Sequence, residues 1–402
     1  MPERETISKE ISIARLNTDI EYLIRKTTNG IPNTNLKLMI LACEEKGPYG
    51  PAVNTANMFL NAFSLAQERV WNMYLEENGH LLSENSNILQ KNSSIVVSVS
   101  ITIYNCVKND YPTTKKEWDS YQGIILSGSF SAAYDETPWI LKLKEMIRDE
   151  IQKYSRPTLG VCFGHQIYAH ALEEWKDSTT IPCWGGRATK CPKGTQAGRR
   201  SFQLTSEGSS LLFQHFHDKH EMNFNHKDSN KRKRDGVQLL YTHSDMVELL
   251  PSCAVSLGGN SIVPIQSAAY FSSSEESQIF RSSIEAKSTN TSLKGDRPSP
   301  HVFTFQAHPE YVSASDVVNL GCSGCLNTKG EKNGNAISNY LDSGASFISS
   351  NYNDILDLLE KKGFISKESV TKEIIDSRNH EDILRNDSLC MIMNVSRNLK
   401  WL

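Results

Sequence analysis

The chain has 402 residues, more than one average domain, and its 43 Lys and Arg nearly balance its 46 Asp and Glu, for a net charge of −3. This balance gives no reason to expect nucleic acid or an anionic membrane as a partner, and no apolar run reaches the roughly 18 residues of a membrane span. Nine irregularly spaced cysteines, and a first segment without signal-peptide character, favour a reducing, cytoplasmic location.

Short apolar or β-branched runs alternate with helical patterns along the chain. The predicted strands are residues 36–43, 95–104, 123–126, 158–161 and 302–306, and the predicted helices are residues 54–70, 138–151, 164–172 and 354–362. Strands that alternate with helices at this spacing are typical of βαβ units. The sequence therefore predicts an α/β protein, a three-layer α/β/α fold of flavodoxin-like type with a mostly parallel sheet.

Two polar stretches interrupt this alternation. Residues 214–236 are strongly polar, and residues 271–300 are so rich in Ser, Thr, Lys and Glu that we expect a disordered surface insertion, whose removal would leave stability nearly unchanged. We therefore predict one enlarged domain over residues 36–320. An N-terminal extension (1–35) and a partly helical C-terminal extension (321–402) flank it.

The strongest local motif is the segment GVCFG, in which Cys162 lies between a predicted strand and a predicted helix. Gly160 and Gly164 are what a strained turn around a nucleophile requires, because side chains there would collide with neighbouring elements. The start of a helix also favours the thiolate form of a cysteine. The alternative is a buried structural cysteine beside ordinary loop glycines, and the motif alone does not decide between the two.

A second motif follows the predicted strand at residues 302–306. Pro309 favours extended geometry at His308, and positions i and i+2 of an extended segment lie on one side, so His308 and Glu310 can reach one site. By itself, His-Pro-Glu is equally well a surface turn. Together with Cys162, it indicates a nucleophile, a base and a group that orients the base.

The segments GVCFGHQ and FQAHPEY resemble the class I, or triad, glutamine amidotransferases. Similar segments occur over most of residues 36–320, and they resemble the glutaminase branch of GMP synthetases and, more closely, the stand-alone γ-glutamyl peptidases. They are residues 123–129, 131–134, 138–139, 185–187 and 243–247. Ser129 is a departure, because synthetases carry a glycine there, and residues 195–198 depart from the family's Trp-Glu-x-Gly stretch.

The resemblance implies a reaction for the predicted triad. In this family the cysteine attacks the side-chain amide of glutamine and forms a glutamyl thioester that water hydrolyses. Cys162 would be the nucleophile, His308 the general acid and base, and Glu310 the group that orients His308. No metal or cofactor is required.

The resemblance also implies the residues around the substrate. The backbone N–H groups of Ser129 and Phe163 would hold the oxyanion. Gln166, Ser244 and Asp245 match positions that bind the glutamyl amino and carboxylate groups. Two alternatives stay open: Gln166 could cap its helix, and Asp245 could cap the turn after His243.

The expected function is hydrolysis of a γ-glutamyl amide bond, in glutamine or in a γ-glutamyl peptide as the small-molecule substrate. One alternative is an ammonia-donating glutaminase that serves a separate synthetase subunit, because the sequence shows no phosphate-binding G-x-x-x-x-G-K-[ST] motif. Another is a non-catalytic regulatory protein with the same fold. An intact Cys-His-Glu set argues against the second alternative.

Three weaker signals are better explained without a function. Cys322 and Cys325 form a lone C-x-x-C, and we expect two reduced loop thiols. Four histidines between His215 and His226 have conceivable metal affinity, although they fall in a polar stretch. The run Lys231–Arg234 leaves a nuclear location open, but a solvated loop explains it equally well.

Overall fold

The computed structural model describes residues 4–16, 34–45, 51–78, 93–173, 183–212, 236–288, 297–311, 366, 368 and 381–401. Four features predicted from the sequence lie outside the described residues. They are the helix at 354–362, the C-x-x-C motif, the histidine patch and the Lys231–Arg234 run.

The described residues form strands and helices at most of the predicted positions. The strands are β1 (Thr6–Leu16), β2 (Asn35–Ala42), β3 (Ser93–Asn105), β4 (Gly123–Leu126), β5 (Thr158–Val161), β6 (Arg187–Lys190), β7 (Gln196–Leu204), β8 (Val237–His243), β9 (Asp245–Leu249), β10 (Ala254–Gly259), β11 (Ser267–Tyr270) and β12 (Val302–Phe305). The helices are α1 (Ala52–Asn78), α2 (Lys115–Trp118), α3 (Pro138–Met146, continued by a π-helix, Ile147–Gln152), α4 (Phe163–Ala171), α5 (Ser206–Leu212), α6 (Ser274–Ser288) and α7 (Glu381–Asn398). None of these described helices combines the length and the apolar character that crossing a bilayer requires.

Within the described residues, ten strands form the central sheet, in the order β1-β3-β2-β4-β5-β12-β11-β10-β7-β8. Its centre, β3-β2-β4-β5-β12, is parallel, and the strands added on both sides pair antiparallel. β6 and β9 form a separate antiparallel pair. The predicted α/β fold is confirmed, with the antiparallel flanks as an addition that the sequence did not predict.

Helices cover both faces of the sheet, which gives three layers. Along β2, Leu38 and Ile40 join one hydrophobic cluster, whereas Met39 and Leu41 join the other. This alternation follows from the two-residue period of a strand. Residues of α1 and α7 complete the first cluster, and residues of α3 and α4 complete the second. The runs of apolar residues in the central strands are therefore buried on both sides.

Both ends of the chain contribute to this domain. Residues 6–16, assigned to an extension on their polar character, pair antiparallel with β3 as the edge strand β1. An edge strand needs only one partly buried face, so few apolar residues mark it in the sequence. At the other end, the Trp401 ring packs edge-on against Phe63, with ring centroids 5.5 Å apart. Trp401 and residues of α7 belong to the first hydrophobic cluster.

The prediction of disorder across residues 271–300 is wrong for residues 274–288, which form α6. The Ser273 hydroxyl accepts a hydrogen bond from the Glu276 N–H at 3.2 Å, as at the start of a capped helix. Phe280 is fully buried and packs on Phe271, with ring centroids 4.9 Å apart. One well-placed aromatic side chain therefore anchors a helix whose average composition is polar.

Phe280→Ala should lower the free energy of unfolding by about 3–5 kcal/mol, because it empties a buried aromatic site. Ile279→Ala is the matched control: Ile279 is 47% exposed, and we expect a change of about 0.5 kcal/mol or less. Denaturant-induced unfolding of both variants measures the difference. Equal effects would show that α6 is not anchored through Phe280.

Candidate active site

Cys162 lies at a strained turn between β5 and α4. Its backbone dihedrals are φ 52° and ψ −105°, and residues with a side chain rarely adopt this region. A Cβ atom on Gly164 would lie 2.3 Å from the Leu126 carbonyl oxygen, and one on Gly160 would lie 2.9 Å from the Gly164 carbonyl oxygen. Close packing of the turn against β4 and α4 therefore explains both glycines of the motif.

The turn presents the Cys162 side chain to a small group of polar partners. The backbone N–H of Cys162 donates to the Phe305 carbonyl oxygen at 2.7 Å, which ties the turn to β12. The sulfur lies 3.8 Å from Gln306 Nε2 and 4.0 Å from the Thr242 carbonyl oxygen. Cys162 is only 4% exposed and precedes the first residue of α4, where helix geometry favours an anion.

His308 and Glu310 form the expected pair. The distance from His308 Nδ1 to Glu310 Oε1 is 2.8 Å, and both side chains are buried. The segment differs from the extended geometry predicted for it, because residues 309–310 form a turn in which the Tyr311 N–H donates to the His308 carbonyl oxygen at 3.3 Å. The turn still places imidazole and carboxylate side by side.

The charges around His308 stabilise its protonated form. Burial by itself would lower the pKa of His308, but interactions with Glu310 and with Cys162 together raise it to about 10. His308 Nε2 lies 3.0 Å from Thr242 Oγ1. Nδ1–H is thus oriented by Glu310, and Nε2 is held on the side of the site that contains Cys162. The sequence motifs did not indicate Thr242.

The turn after β4 lies against both Cys162 and His308. A Cβ atom on Gly128 would lie 3.4 Å from His308 Cε1 and 3.6 Å from Cys162 Cβ. Ser127 Oγ accepts a hydrogen bond from the Cys43 N–H at 2.9 Å and donates to the Gly128 carbonyl oxygen at 3.1 Å. This turn therefore forms one wall of the site.

Glu44, directly after β2, holds the same turn from outside. Its Oε2 accepts a hydrogen bond from the Phe130 N–H at 3.1 Å and lies 3.5 Å from Ser129 Oγ. Within the described residues, the N–H groups of Ser129 and Phe163 donate to no other protein group. Both predicted oxyanion donors thus remain available, and Glu44 is a supporting residue that the sequence motifs did not reveal.

Gln166 and Asp245 come together as expected, through the backbone of Asp245. Gln166 Nε2 donates to the Asp245 carbonyl oxygen at 2.8 Å and to Gln306 Oε1 at 3.1 Å. The residue at the helix cap is Cys162, so the alternative that Gln166 caps α4 is wrong. Ser244 lies in the adjoining segment, where its hydroxyl is 2.9 Å from Thr195 Oγ1.

The Asp245 carboxylate lies across the site from the turn after β4. Its Oδ1 accepts a hydrogen bond from the Tyr134 hydroxyl at 3.1 Å. Burial raises the pKa of Asp245, while the hydrogen bond from Tyr134 and the charge of Lys190 oppose that shift. Tyr134 therefore connects the two sides of the site, a contact that the sequence analysis did not identify.

No metal-binding cluster accompanies this site in the described part of the chain, where no three His, Cys, Asp or Glu side chains converge as metal ligands.

Part of the chain matches a known protein family. Residues 83–257 match the family model of the class-I glutamine amidotransferases. The chain contains a class-I glutamine amidotransferase domain. The matched range includes Cys162 and Gln166 and ends before His308, so the amidotransferase match does not cover the His308–Glu310 pair.

Individual relatives are distant. A Schizosaccharomyces pombe protein described as glutamine amidotransferase-like is 33% identical over 105 residues, which are 26% of this chain and 37% of the relative. γ-Glutamyl peptidase 3 of Arabidopsis thaliana is 25% identical over 209 residues, 52% of this chain and 62% of the relative. A Thermotoga maritima glutamine amidotransferase structure has a TM-score of 0.45 and 14% identity, covering 92% of this chain and 99% of that one. The chain therefore matches less than two thirds of the length of each curated relative, 37% of the S. pombe protein and 62% of the A. thaliana protein.

The stability of the protein should fall between neutral and alkaline pH. The native state keeps a proton on His308, whose pKa is about 10 instead of 6.5, and the unfolded chain releases that proton earlier. This group alone therefore lowers the free energy of unfolding by up to ~1.4 kcal/mol per pH unit in that window. In Glu310→Gln the slope should be shallower, because burial then opposes the charged imidazole.

Denaturant unfolding of the wild type and Glu310→Gln at several values between about pH 6 and pH 9 measures this difference, and titrating groups that do not interact with His308 cancel in the comparison. Parallel slopes would contradict the elevated pKa of His308.

Proposed function

We propose that this domain hydrolyses a γ-glutamyl amide bond, with Cys162 as nucleophile, His308 as general acid and base, and Glu310 as the residue that orients His308. The observation that carries the proposal is the strained turn of Cys162 beside a buried His308–Glu310 pair. A strained backbone at one cysteine has a cost, and it occurs at the position where a nucleophile must project from a strand end.

In the first half of the reaction the Cys162 thiolate attacks the γ-carbonyl carbon of the substrate. A sulfur–carbon bond forms, and the carbonyl oxygen becomes an oxyanion. When the tetrahedral intermediate collapses, the carbon–nitrogen bond breaks and His308 gives its Nε2 proton to the leaving amine. The products of this half are a free amine, or ammonia from glutamine, and a glutamyl thioester on Cys162.

In the second half water replaces the amine. His308, now neutral, takes a proton from water as the oxygen attacks the thioester carbonyl. The carbon–sulfur bond then breaks, glutamate leaves, and the thiolate and the protonated imidazole are restored. Glu310 accepts the Nδ1–H hydrogen bond throughout, so the imidazole keeps the orientation both steps need.

The remaining site residues receive roles from their positions. The N–H groups of Ser129 and Phe163 hold the oxyanion, and one such donor is typically worth about 10²–10³ in rate. Gln166 Oε1 accepts no hydrogen bond from the described residues. That carbonyl oxygen and the Asp245 carboxylate bind the substrate ammonium group, and Ser244 contributes to the same subsite.

Two substrate classes share this chemistry. We favour a γ-glutamyl peptide, because the A. thaliana relative, which matches 209 residues of this chain, is named as a γ-glutamyl peptidase. Free glutamine, with ammonia passed to a separate synthetase subunit, is the second candidate, and the name of the S. pombe relative favours it.

The purified protein should release an amine from γ-glutamyl peptides such as glutathione faster than it releases ammonia from glutamine, and Cys162→Ala should abolish both reactions. An electrophilic glutamine analogue should label Cys162, as read by mass spectrometry. Cys390→Ser is the matched control: Cys390 is also buried but lies on α7, and its loss should leave turnover unchanged.

Turnover that survives in Cys162→Ala, or labelling confined to other cysteines, would overturn the nucleophile assignment. Ammonia release from glutamine without peptide cleavage would instead favour the amidotransferase alternative.

Glu44→Ala should lower the rate of thioester formation by about tenfold or more, because the Ser129 N–H loses its fixed direction. Alkylation of Cys162 by a haloacetamide has no carbonyl oxyanion and should keep its wild-type rate. Glu44→Gln keeps an acceptor for the Phe130 N–H and should recover most of the loss. Glu45→Ala is the control: the neighbouring carboxylate binds Asn105 and Lys108 instead.

Single-turnover acylation and alkylation are measured in parallel on the Glu44 and Glu45 variants. A parallel fall of both rates in Glu44→Ala would mean that the nucleophile itself is disturbed, and the role of Glu44 in the oxyanion turn would be refuted.

A further inference from the structure

A buried amide connects the nucleophile to the substrate-binding segment. Gln306 directly follows β12, its side chain is fully buried, and its backbone N–H donates to the Gln266 carbonyl oxygen at 2.8 Å. Its Oε1 accepts from Gln166 Nε2 at 3.1 Å, and its Nε2 lies 3.8 Å from Cys162 Sγ. The sequence motifs contained Gln306 but assigned it no role.

The two ends of this network determine the direction of each amide. The Asp245 carbonyl oxygen can only accept, so the atom of Gln166 that faces it at 2.8 Å is the NH₂ group. The second N–H of that group points to Gln306, which must therefore present its oxygen. Gln306 is left with its own NH₂ group facing Cys162, and a thiolate can only accept.

We propose that Gln306 is a positioning residue with two effects: it donates a hydrogen bond to the Cys162 thiolate, and it fixes the orientation of Gln166. This inference rests on the proposed function, in which Cys162 is the nucleophile and Gln166 contacts the substrate. Through Gln306, the group that recognises the glutamyl part and the atom that attacks it share one hydrogen-bond network.

The physical case for the first effect is the burial of the thiolate. A buried anion needs donors around it, and hydrogen bonds to charged groups are stronger than those between neutral groups. His308, with Glu310 behind it, is the charged group that interacts with Cys162. Burial, and with it the charge of His308, lowers the pKa of the neighbouring His243 on β8 to about 4. Gln306 adds a donor without adding a charge, so it favours the thiolate without competing with the imidazole.

The second effect concerns Gln166. With its NH₂ group held by the Asp245 carbonyl oxygen and by Gln306, its own oxygen is directed away from both. Without Gln306 the amide has one fixed contact instead of two, and it can rotate. The substrate subsite then loses a defined acceptor for the ammonium group.

Two substitutions separate these effects. Gln306→Glu keeps an acceptor for Gln166 but removes the donor and places negative charge beside the thiolate. Gln306→Met is similar in length and removes both hydrogen bonds. Gln152→Glu is the matched control: Gln152 is equally buried, its Oε1 accepts from Tyr168 and its Nε2 donates to the Phe271 carbonyl oxygen, away from the site.

The first measurement is the pH dependence of Cys162 alkylation by a haloacetamide, read by mass spectrometry of the Cys162 peptide. The midpoint should move to higher pH by about one unit or more in both Gln306 variants. It should stay at the wild-type value in Gln152→Glu, even if that variant melts at a lower temperature. Unmoved midpoints in both folded Gln306 variants would overturn the first effect.

The second measurement is steady-state cleavage of a γ-glutamyl peptide. KM should rise roughly 3- to 10-fold in Gln306→Met, and it should stay within about 2-fold of wild type in Gln306→Glu. In both variants the acid limb of kcat/KM should move to higher pH, together with the alkylation midpoint. Equal KM changes in the two variants would overturn the second effect. A wild type that cleaves no γ-glutamyl substrate would refute the proposed function, while alkylation would still report on the contact between Gln306 and Cys162.

Discussion

The hydrogen bond from the Cys162 N–H to the Phe305 carbonyl oxygen is the contact on which the site depends. It is the last bond of the parallel pairing between β5 and β12, whose residues are far apart in the sequence. Because the two strands run in the same direction, the chain leaves both of them at the same edge of the sheet. The chain turns at Cys162 on one side, and it reaches His308 a few residues after Phe305 on the other.

Burial strengthens the interaction between the charges at this edge, and it also makes an unpaired charge there strongly destabilising. His308 and Glu310 are almost inaccessible to water, so each needs the other, and removing either partner leaves an uncompensated charge. Around them the site uses neutral dipoles, namely Thr242 and Gln306. Neutral groups can donate to a thiolate or accept from an imidazolium without changing the net charge of the site. Thr242, beside His308, and Gln306, beside Cys162, are therefore polar and uncharged contacts.

The sequence predicted the parts of the site that local geometry determines. Gly160 and Gly164 lie two residues on either side of Cys162, and the spacing of His308 and Glu310 is also local, so a short stretch of sequence contains each pattern. Glu44 and Thr242 were missed, because each meets the site only through the tertiary structure. Glu44 follows β2, and Thr242 lies on β8, where the Leu240 carbonyl oxygen accepts a hydrogen bond from the His308 N–H at 2.9 Å. Phe280 was missed for another reason: averaged over the segment, composition hides a single buried ring that anchors a helix.

The strand order explains why Glu44 meets the residues that follow β4, β5 and β12. β2, β4, β5 and β12 are consecutive in the sheet and parallel, so their carboxyl ends lie along one edge. Glu44 follows β2, the turn 127–129 follows β4, Cys162 follows β5, and Gln306 follows β12. In the proposed mechanism each strand therefore supplies one component: a support, an oxyanion turn, a nucleophile, and an amide with the base behind it. A polar residue directly after a parallel strand is a stronger indicator of function in this fold than its local motif suggests.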